Sequence, residues 1–324
     1  MGKLIRALLS LLIIAIISCM ACEAQSPSAP VVQKLHPTLA ITPSTGIAGT
    51  KFVIKCTGFE KNGSTTVKIA QSSGTLVIDK KYDYVNPDTL DLVISTYGFN
   101  PGRYKCHVED TTNGQAADAE FDVTGKKYII FEDDFSNGFS GWPTYTSENY
   151  TTLYDKTNQG PAYYFRIRDN KLAVLYRFQT RVGKIKDCIA EVDCWSKPEE
   201  STFAGILFRA VLDNNEDKWD KTSQYVFLAD SGYGAYCIHI LINGKWKYPV
   251  FQKVSDVVKK DGSPNRLKVA CVGSTIETYI NGVQVETLTD ETIKDEGYVG
   301  LFIETIREPN ALVYFDNFLV YQIK

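Results

Sequence analysis

Short runs of alternating apolar and polar residues, separated by turn-forming sequences, occupy most of the chain beyond residue 36. Between residues 36 and 126, examples are KFVIKCTGF (51–59), TLDLVIS (89–95) and GRYKCHVED (102–110). Alternation with period two, rich in β-branched and aromatic residues, predicts short β-strands. Short strands at regular spacing predict a β-sandwich over residues 36–126.

The same pattern continues through residues 127–324, for example in DCIAEVDCW (187–195), FAGILFRAV (203–211) and LVYFDNFLVYQ (312–322). Only residues 254–260 show a short helical pattern. We therefore predict an all-β chain whose second, larger domain is a single sandwich or jelly roll.

The composition agrees with this prediction and excludes some functions. The chain has 19 Tyr and 16 Phe but only 2 Met, which favours strands over helices. The net charge of −3 offers no basic excess that could neutralise phosphates, so we expect no nucleic-acid partner. The chain has only three histidines, which argues against histidine-based catalysis and against a zinc site. We expect no cofactor, with a structural calcium ion as the one alternative.

The N-terminus has the pattern of a secretory signal peptide. Lys3 and Arg6 precede an apolar run at 7–18 that is too short to span a membrane. The sequence Ile16-Ile17-Ser18-Cys19 resembles the bacterial lipobox, which implies cleavage before Cys19 and a lipid on its thiol. Acyl chains would then anchor the protein to membrane lipid on the extracytoplasmic side. The alternative is an ordinary signal peptide with an incidental cysteine.

Residues 1–18 are thus predicted as a lipoprotein signal peptide, and residues 19–35 as a flexible tether. The tether is rich in Ser, Ala and Pro. We expect it to hold the folded part away from the membrane surface of the bacterial cell.

The segment 36–126 has features of an immunoglobulin-like sandwich. Tyr104 stands two residues before Cys106, as in the tyrosine corner of that fold. The opening ITPSTGIAGTKFVIKCTGF (41–59) resembles the IPT/TIG-type domains, which implies a spacing or adhesive role. A disulfide between Cys56 and Cys106 is expected outside the cytoplasm, the alternative being two reduced, buried thiols.

The segment 127–324 carries three pieces of a second resemblance. The entry DDFSNGFSGW (133–142), the hairpin 265–287 around Asn281-Gly282 and the exit 297–320 resemble the concanavalin A-like lectin/glucanase jelly roll. LamG-like and 3-keto-disaccharide hydrolase-like domains are its relatives. The resemblance implies a partner such as an extracellular glycan or surface polymer, bound by a module or cleaved by a hydrolase.

One strand carries candidate chemistry. Glu191, Asp193 and Trp195 alternate with Ala190, Val192 and Cys194, so they face outwards. The pattern Glu-x-Asp resembles the motif of laminarinase-type glycoside hydrolases, but the third carboxylate is missing, which favours binding over hydrolysis.

A sugar site needs an aromatic platform with carboxylates or amides around it. Trp195 with Glu191 and Asp193 supplies these groups, and Tyr225 and Trp246 could extend the platform. Arg209, inside an apolar strand, needs a partner, and one of the two acids is expected to be it.

Asp133, Asp134 and Asp316 are calcium-ligand candidates, the alternative being that they cap turns in solvent. We therefore expect a membrane-anchored lipoprotein that binds a glycan or another extracellular ligand. The alternatives are a hydrolase of the glucanase or 3-keto-disaccharide hydrolase type, and a structural or adhesive surface protein.

Overall fold

The computed structural model describes residues 37–322, except for the short segments 48–49, 59–62, 85–88, 112–113, 126–127, 137–140, 158–159, 169–172, 199–200, 213–221 and 306–310. The predicted signal peptide, Cys19 and the tether lie outside the described residues, and so does the predicted domain boundary at 126/127. Within the described ranges, no helix has the length and apolarity that crossing a bilayer requires.

In the described residues between 37 and 125, eight strands form the N-terminal sandwich. They are β1 (Thr38–Thr42), β2 (Thr45–Ile47), β3 (Lys51–Thr57), β4 (Gly63–Gln71), β5 (Leu76–Tyr84), β6 (Thr89–Ser95), β7 (Gly102–Asp110) and β8 (Ala116–Thr124). One sheet has the order β1-β3-β6, and the other has the order β2-β8-β7-β4-β5. All pairings are antiparallel except β2 with β8.

Alternate residues of these strands form the core of this sandwich. Phe52, Ile54, Tyr104 and Phe121 are buried together between the two sheets. The hydroxyl of Tyr104 donates a hydrogen bond of 2.7 Å to the carbonyl oxygen of Asn100, so the tyrosine corner forms as predicted. Assignment to the IPT/TIG type stays a prediction.

The predicted disulfide between Cys56 and Cys106 is not formed. All six cysteines in the described part of the chain are thiols without a disulfide. Both residues are buried in the core of the N-terminal sandwich, where they pack as small apolar side chains. Burial, with the neighbouring Cys56, raises the pKa of the Cys106 thiol to about 12.

Between residues 128 and 322, the described part of the chain contains fifteen strands, which form the second sandwich. They are β9 (Tyr128–Asp133), β10 (Tyr145–Thr146), β11 (Tyr150–Thr157), β12 (Gly160–Ile167), β13 (Ala173–Phe178), β14 (Cys188–Ser196), β15 (Thr202–Leu212), β16 (Thr222–Asp230), β17 (Ala235–Ile242), β18 (Lys245–Val254), β19 (Asn265–Val272), β20 (Thr275–Ile280), β21 (Val283–Thr289), β22 (Tyr298–Thr305) and β23 (Leu312–Gln322).

These strands build two stacked sheets. The nine-stranded sheet has the order β10-β11-β12-β23-β14-β19-β20-β21, with β9 paired to β23, and the six-stranded sheet has the order β13-β22-β15-β16-β17-β18. Inward side chains such as Val192, Leu267, Ile206 and Phe227 fill the core between them. The all-β class with a concanavalin A-like jelly roll is confirmed. The helical pattern at 254–260 instead forms the end of β18 and a turn.

The N-terminal sandwich packs against the outer face of the nine-stranded sheet at β20 and β21. Tyr279, on β20, is fully buried and belongs to the same apolar core as Tyr104. Gln284, on β21, donates a hydrogen bond of 3.2 Å to the hydroxyl of Tyr279. Its side-chain oxygen accepts one of 3.2 Å from Lys80 on β5. This part of the outer face is therefore covered by protein.

Candidate functional site

The predicted site on β14 has its charges already paired. The guanidinium of Arg266, on the neighbouring strand β19, donates to Oε2 of Glu191 over 3.1 Å and 3.3 Å. The same guanidinium lies 3.4 Å from Oδ1 of Asp193. The amide of Asn317 donates to the other oxygen of Asp193 over 2.9 Å. Both carboxylates thus have partners within the protein, because they share one guanidinium and Asp193 also accepts from Asn317.

Trp195 does not offer an open platform. The side chain is buried, and its ring stacks on Tyr314 with centroids 5.5 Å apart and an interplanar angle of 19°. A sugar needs a free aromatic face, and this face is largely taken by protein.

Arg209 does not pair with Glu191 or Asp193. A β-bulge after Phe208 gives Arg209 a φ of 49° and turns its side chain to one end of the sandwich. There it is buried and donates to Oδ1 of Asp187 over 3.1 Å and to the carbonyl oxygen of Gly273 over 2.7 Å. The residue cross-links loops, and the expected partner was wrong because a bulge cannot be seen in strand alternation.

Tyr225 also lies away from any ligand surface. Its ring is buried between the two sheets and stacks on Phe208 with centroids 5.3 Å apart. Its hydroxyl donates a hydrogen bond of 2.5 Å to Asp290. Burial, together with this bond, raises the pKa of the Tyr225 hydroxyl well above its usual value.

The calcium candidates do not form a ligand set. The two oxygens of Asp133 accept hydrogen bonds from the backbone N–H of Phe135 and the indole N–H of Trp142, each 2.8 Å long. Asp134 accepts from the backbone and side chain of Ser136. Among the described residues, no three His, Cys, Asp or Glu side chains are arranged to hold a metal ion. Asp134 caps a turn at the surface, as the alternative states, whereas Asp133 caps its turn from a buried position. The carboxylate of Asp316 accepts from the backbone N–H of Asn317.

The outer face of the six-stranded sheet is a different candidate for the functional site. His239 on β17 and Glu304 on β22 are separated in that sheet by β15 and β16. Neighbouring strands lie about 4.8 Å apart, so these two strands are about 14 Å apart along a flat sheet. Nδ1 of His239 nevertheless lies 3.4 Å from Oε2 of Glu304. Only a strongly curved sheet brings the two side chains together, so this outer face is concave.

We call this surface the concave face. The side chains that we assign to it are those of Gln224, His239, Trp246, Tyr248, Phe251 and Glu304. Its floor is apolar and buried, formed by Phe203, Leu207, Val226, Leu228, Cys237 and Phe302. Trp246 packs on this floor, with its ring centroid 6.1 Å from that of Phe302.

Three polar side chains of the concave face are buried against this apolar floor: Gln224, His239 and Glu304. Within the described chain, four of their atoms have no hydrogen-bond partner: Nε2 and Oε1 of Gln224, Nδ1 of His239 and Oε2 of Glu304. We call these four the open polar atoms. His239 and Glu304 are within ion-pair distance but are not aligned for a hydrogen bond. Native proteins rarely leave such groups unsatisfied unless a ligand or water meets them.

The tautomer of His239 follows from its other contact. Nε2 lies 3.2 Å from the carbonyl oxygen of Phe251. A carbonyl oxygen can only accept, so Nε2 carries the proton in this bond. In the neutral ring Nδ1 is then an acceptor, and it faces the carboxylate of Glu304.

Aromatic side chains form the rim of the concave face. Tyr248 is 47% exposed and Phe251 is 65% exposed, which is unusual for side chains of this size. The ring of Tyr248 lies edge-on to His239 at 4.7 Å between centroids. Partial burial, and then the charge of Glu304, raises the pKa of the Tyr248 hydroxyl.

The six predicted ligand residues are therefore spread over four places. Glu191, Asp193 and Trp195 lie on the nine-stranded sheet, Tyr225 lies in the core, and Arg209 lies at one end of the sandwich. Only Trp246 belongs to the concave face.

Sequence reasoning missed Gln224, His239 and Glu304. One signal was available, because each stands in phase with apolar residues of its strand, as Gln224 does with Val226 and Leu228.

Residues 131–320 match the family model described as the 3-keto-alpha-glucoside-1,2-lyase-like domain. No protein with curated annotation matches the chain in sequence.

Several solved structures are similar to part of the chain. The carbohydrate binding module CBM66 from Bacillus subtilis is 17% identical with a TM-score of 0.41, over 57% of this chain and 98% of that module. A Bacillus subtilis protein of unknown function with a galectin-like fold is 11% identical with a TM-score of 0.46, over 61% and 97% of the two chains. The kappa-carrageenase from Zobellia galactanivorans is 11% identical with a TM-score of 0.44, over 61% and 96%.

Proposed function

The chain belongs to the 3-keto-alpha-glucoside-1,2-lyase-like domain family, and we propose that it binds a carbohydrate, an α-glucoside in the first instance, on the concave face. The observation that carries this proposal is the set of open polar atoms beneath exposed aromatic side chains. Sugar sites combine these same elements, because aromatic rings meet the apolar face of the sugar while a few polar groups meet its hydroxyls.

Sugar binding would supply hydrogen-bond partners to buried polar atoms that lack them in the unbound protein. A buried donor or acceptor without a partner costs about 1–3 kcal/mol, and a sugar hydroxyl can both donate and accept. The open polar atoms are covered by neighbouring side chains, so a ligand reaches them only when some of these side chains move aside.

Calorimetric titration with methyl α-D-glucopyranoside, trehalose, sucrose and laminarin oligosaccharides tests the proposal. We expect at least one of them to bind, and Tyr248→Ala to weaken its binding about tenfold through the lost ring contact. Tyr145→Ala is the matched control, because Tyr145 is also about half exposed but lies on β10 of the other sheet. No binding to any sugar, or equal loss in both variants, would contradict the proposal.

A second candidate is cleavage of a 3-keto-α-glucoside by elimination. It is favoured by the acceptor Nδ1 of His239 beside the carboxylate of Glu304. Nδ1 would take the proton from the carbon between the keto group and the anomeric carbon. The freed electron pair would form a carbon–carbon double bond as the glycosidic C–O bond breaks, and the departing oxygen would take up a proton to leave as an alcohol. Glu304 would stabilise the imidazolium.

Release of the alcohol from a 3-keto-α-glucoside, followed by NMR, tests this candidate. We expect His239→Gln to abolish release even at saturating substrate, because a glutamine amide cannot take up the proton, and to weaken the binding of the parent glucoside as well. Turnover that is unchanged in His239→Gln would exclude His239 as the base. The glucanase-type alternative has less support, because Glu191 and Asp193 are both paired with Arg266.

The placement of the protein in the cell is part of the proposal. The lipobox-like sequence before Cys19 supports a lipid-anchored, extracytoplasmic protein, with the concave face available to an extracellular glycan. Cys19→Ala should release the protein from the membrane fraction and abolish labelling by radioactive palmitate. Cys22→Ala is the matched control and should remain membrane-bound.

A further inference from the structure

We infer that Gln224 determines sugar specificity on the concave face by binding two neighbouring hydroxyl groups of one pyranose ring. This inference rests on the proposed carbohydrate binding and names the group of the ligand that is recognised.

The neighbours of Gln224 on β17 and β18 are apolar, whereas Thr222, on the same face of β16, is polar and buried. The residue pairs with Leu241 on β17, and Leu241 pairs with Trp246 on β18. Val226, two residues further along β16, lies on the same face and is part of the apolar floor. The side chain of Gln224 is fully buried there, with 0% exposure.

Asn265, another buried side-chain amide of the same sandwich, has the hydrogen bonds expected of a structural role. Asn265 is also 0% exposed, but its oxygen accepts from the backbone N–H of Lys259 and from Asn281. Its nitrogen donates to Ser231 and to the carbonyl oxygen of Lys259. Gln224 makes no such bond from either amide atom with any described residue. A leucine would fill the same space without burying an unsatisfied amide.

The side-chain amide of Gln224 determines which ligand groups can pair with it. It presents one acceptor and one donor side by side, so the best match is a pair of groups that can donate and accept at adjacent positions. Two neighbouring hydroxyls of a pyranose ring have this arrangement, whereas a single hydroxyl leaves one amide atom unsatisfied. A site built to bind a hydroxyl strongly disfavours the analogue that lacks it.

The test compares methyl α-D-glucopyranoside with its 2-deoxy, 3-deoxy and 4-deoxy analogues by calorimetric titration. In the wild type we expect about tenfold weaker binding for two analogues at adjacent ring positions. Gln224→Leu should bind the parent sugar about tenfold more weakly and lose the discrimination. Gln252→Leu, an exposed glutamine on β18, is the matched control and should behave as the wild type. Tryptophan fluorescence, which includes Trp246 on the floor of the concave face, provides a second binding signal.

The outcomes separate two kinds of failure. If the wild type binds none of these sugars, the proposed function fails for α-glucosides, and this inference fails with it. If the wild type binds and Gln224→Leu discriminates as well as the wild type, only the role of Gln224 is overturned. Thermal unfolding gives a readout without ligand, because removal of an unsatisfied buried amide should leave the melting temperature equal or higher. A lower melting temperature would show a structural role and contradict the inference.

Discussion

The backbone N–H of Gly98, in the N-terminal sandwich, donates a hydrogen bond of 2.9 Å to the carboxylate of Glu277 on β20 of the second sandwich. The same carboxylate accepts from the hydroxyl of Tyr279 over 2.7 Å. Nζ of Lys268 donates to the carbonyl oxygen of Gly98 over 2.7 Å and lies 4.4 Å from the centre of the Tyr279 ring. Both main-chain groups of one glycine thus connect the two sandwiches.

Gly98→Ala should weaken this connection strongly. A Cβ at residue 98 would lie 2.2 Å from the ring of Tyr279, so either the turn or the ring must move. We expect a loss of about 1–3 kcal/mol in the free energy of unfolding, as for an overpacked core. Denaturant unfolding measures it.

A double-mutant cycle provides the control for Gly98→Ala. Tyr279→Ala removes the ring that the new methyl group would meet, so the two substitutions together should cost less than the sum of their separate costs. Additive costs would show that the contact between residues 98 and 279 is not the cause.

Arg209→Met should destabilise the protein by about 3 kcal/mol, because it leaves the carbonyl oxygen of Gly273 and the carboxylate of Asp187 without their buried donor. Arg209→Lys should recover only part of the loss, since an ammonium group cannot reach the several acceptors that the guanidinium spans. Thermal unfolding measures both. Arg103→Met removes an exposed arginine with ion pairs and should leave the melting temperature unchanged. A similar loss in both positions would contradict the special role of Arg209.

Asp316 should make the protein less stable as the pH rises. Partial burial, with Asp193 and Asp134 nearby, raises the pKa of this carboxyl to about 6, against 3.8 in its ordinary state. The folded protein therefore holds this proton more tightly than the unfolded chain, and stability falls between about pH 4 and pH 6.

Asp316→Asn should remove this loss, so its stability relative to the wild type should be higher at pH 8 than at pH 4. Denaturant unfolding at both values measures it. Asp261→Asn serves as control, because the pKa of Asp261 is lowered by its bonds with Ser263, and its relative stability should not rise with pH.

The buried cysteines should be unreactive in the folded protein. Burial raises the pKa of the thiols of Cys188, Cys194 and Cys271, the last to about 12, so little thiolate forms at neutral pH. In a variant with Cys19→Ser and Cys22→Ser, Ellman's reagent should react with none of the cysteines under native conditions. It should react with all six in guanidinium chloride. Fewer than six after unfolding would reveal a disulfide.

The local elements of this fold could be predicted because their signals are local. Asn281 and Gly282 form the two-residue turn between β20 and β21 with φ values of 51° and 88°, the left-handed backbone that this turn needs. Tyr104 makes its corner bond within four residues. Strand alternation is also a local signal, and it correctly predicts that Ala190 and Val192 face the core while Glu191 faces outwards.

The candidate site could not be predicted, because no local signal specifies strand order or curvature. His239 and Glu304 are 65 residues apart in the chain and meet only because the six-stranded sheet bends. Arg266 becomes the partner of Glu191 and Asp193 only once β19 is known to pair with β14. The bulge at Arg209 interrupts an alternation that otherwise looks regular.

The N-terminal sandwich and the concave face occupy opposite sides of the second sandwich. The first covers the outer face of the nine-stranded sheet at β20 and β21, and the second is the outer face of the six-stranded sheet. A long polysaccharide could therefore lie across the concave face without meeting the N-terminal sandwich at all. For the proposed carbohydrate binding, this means that the described N-terminal sandwich does not limit the length of the ligand, so polymers are as admissible as single sugars.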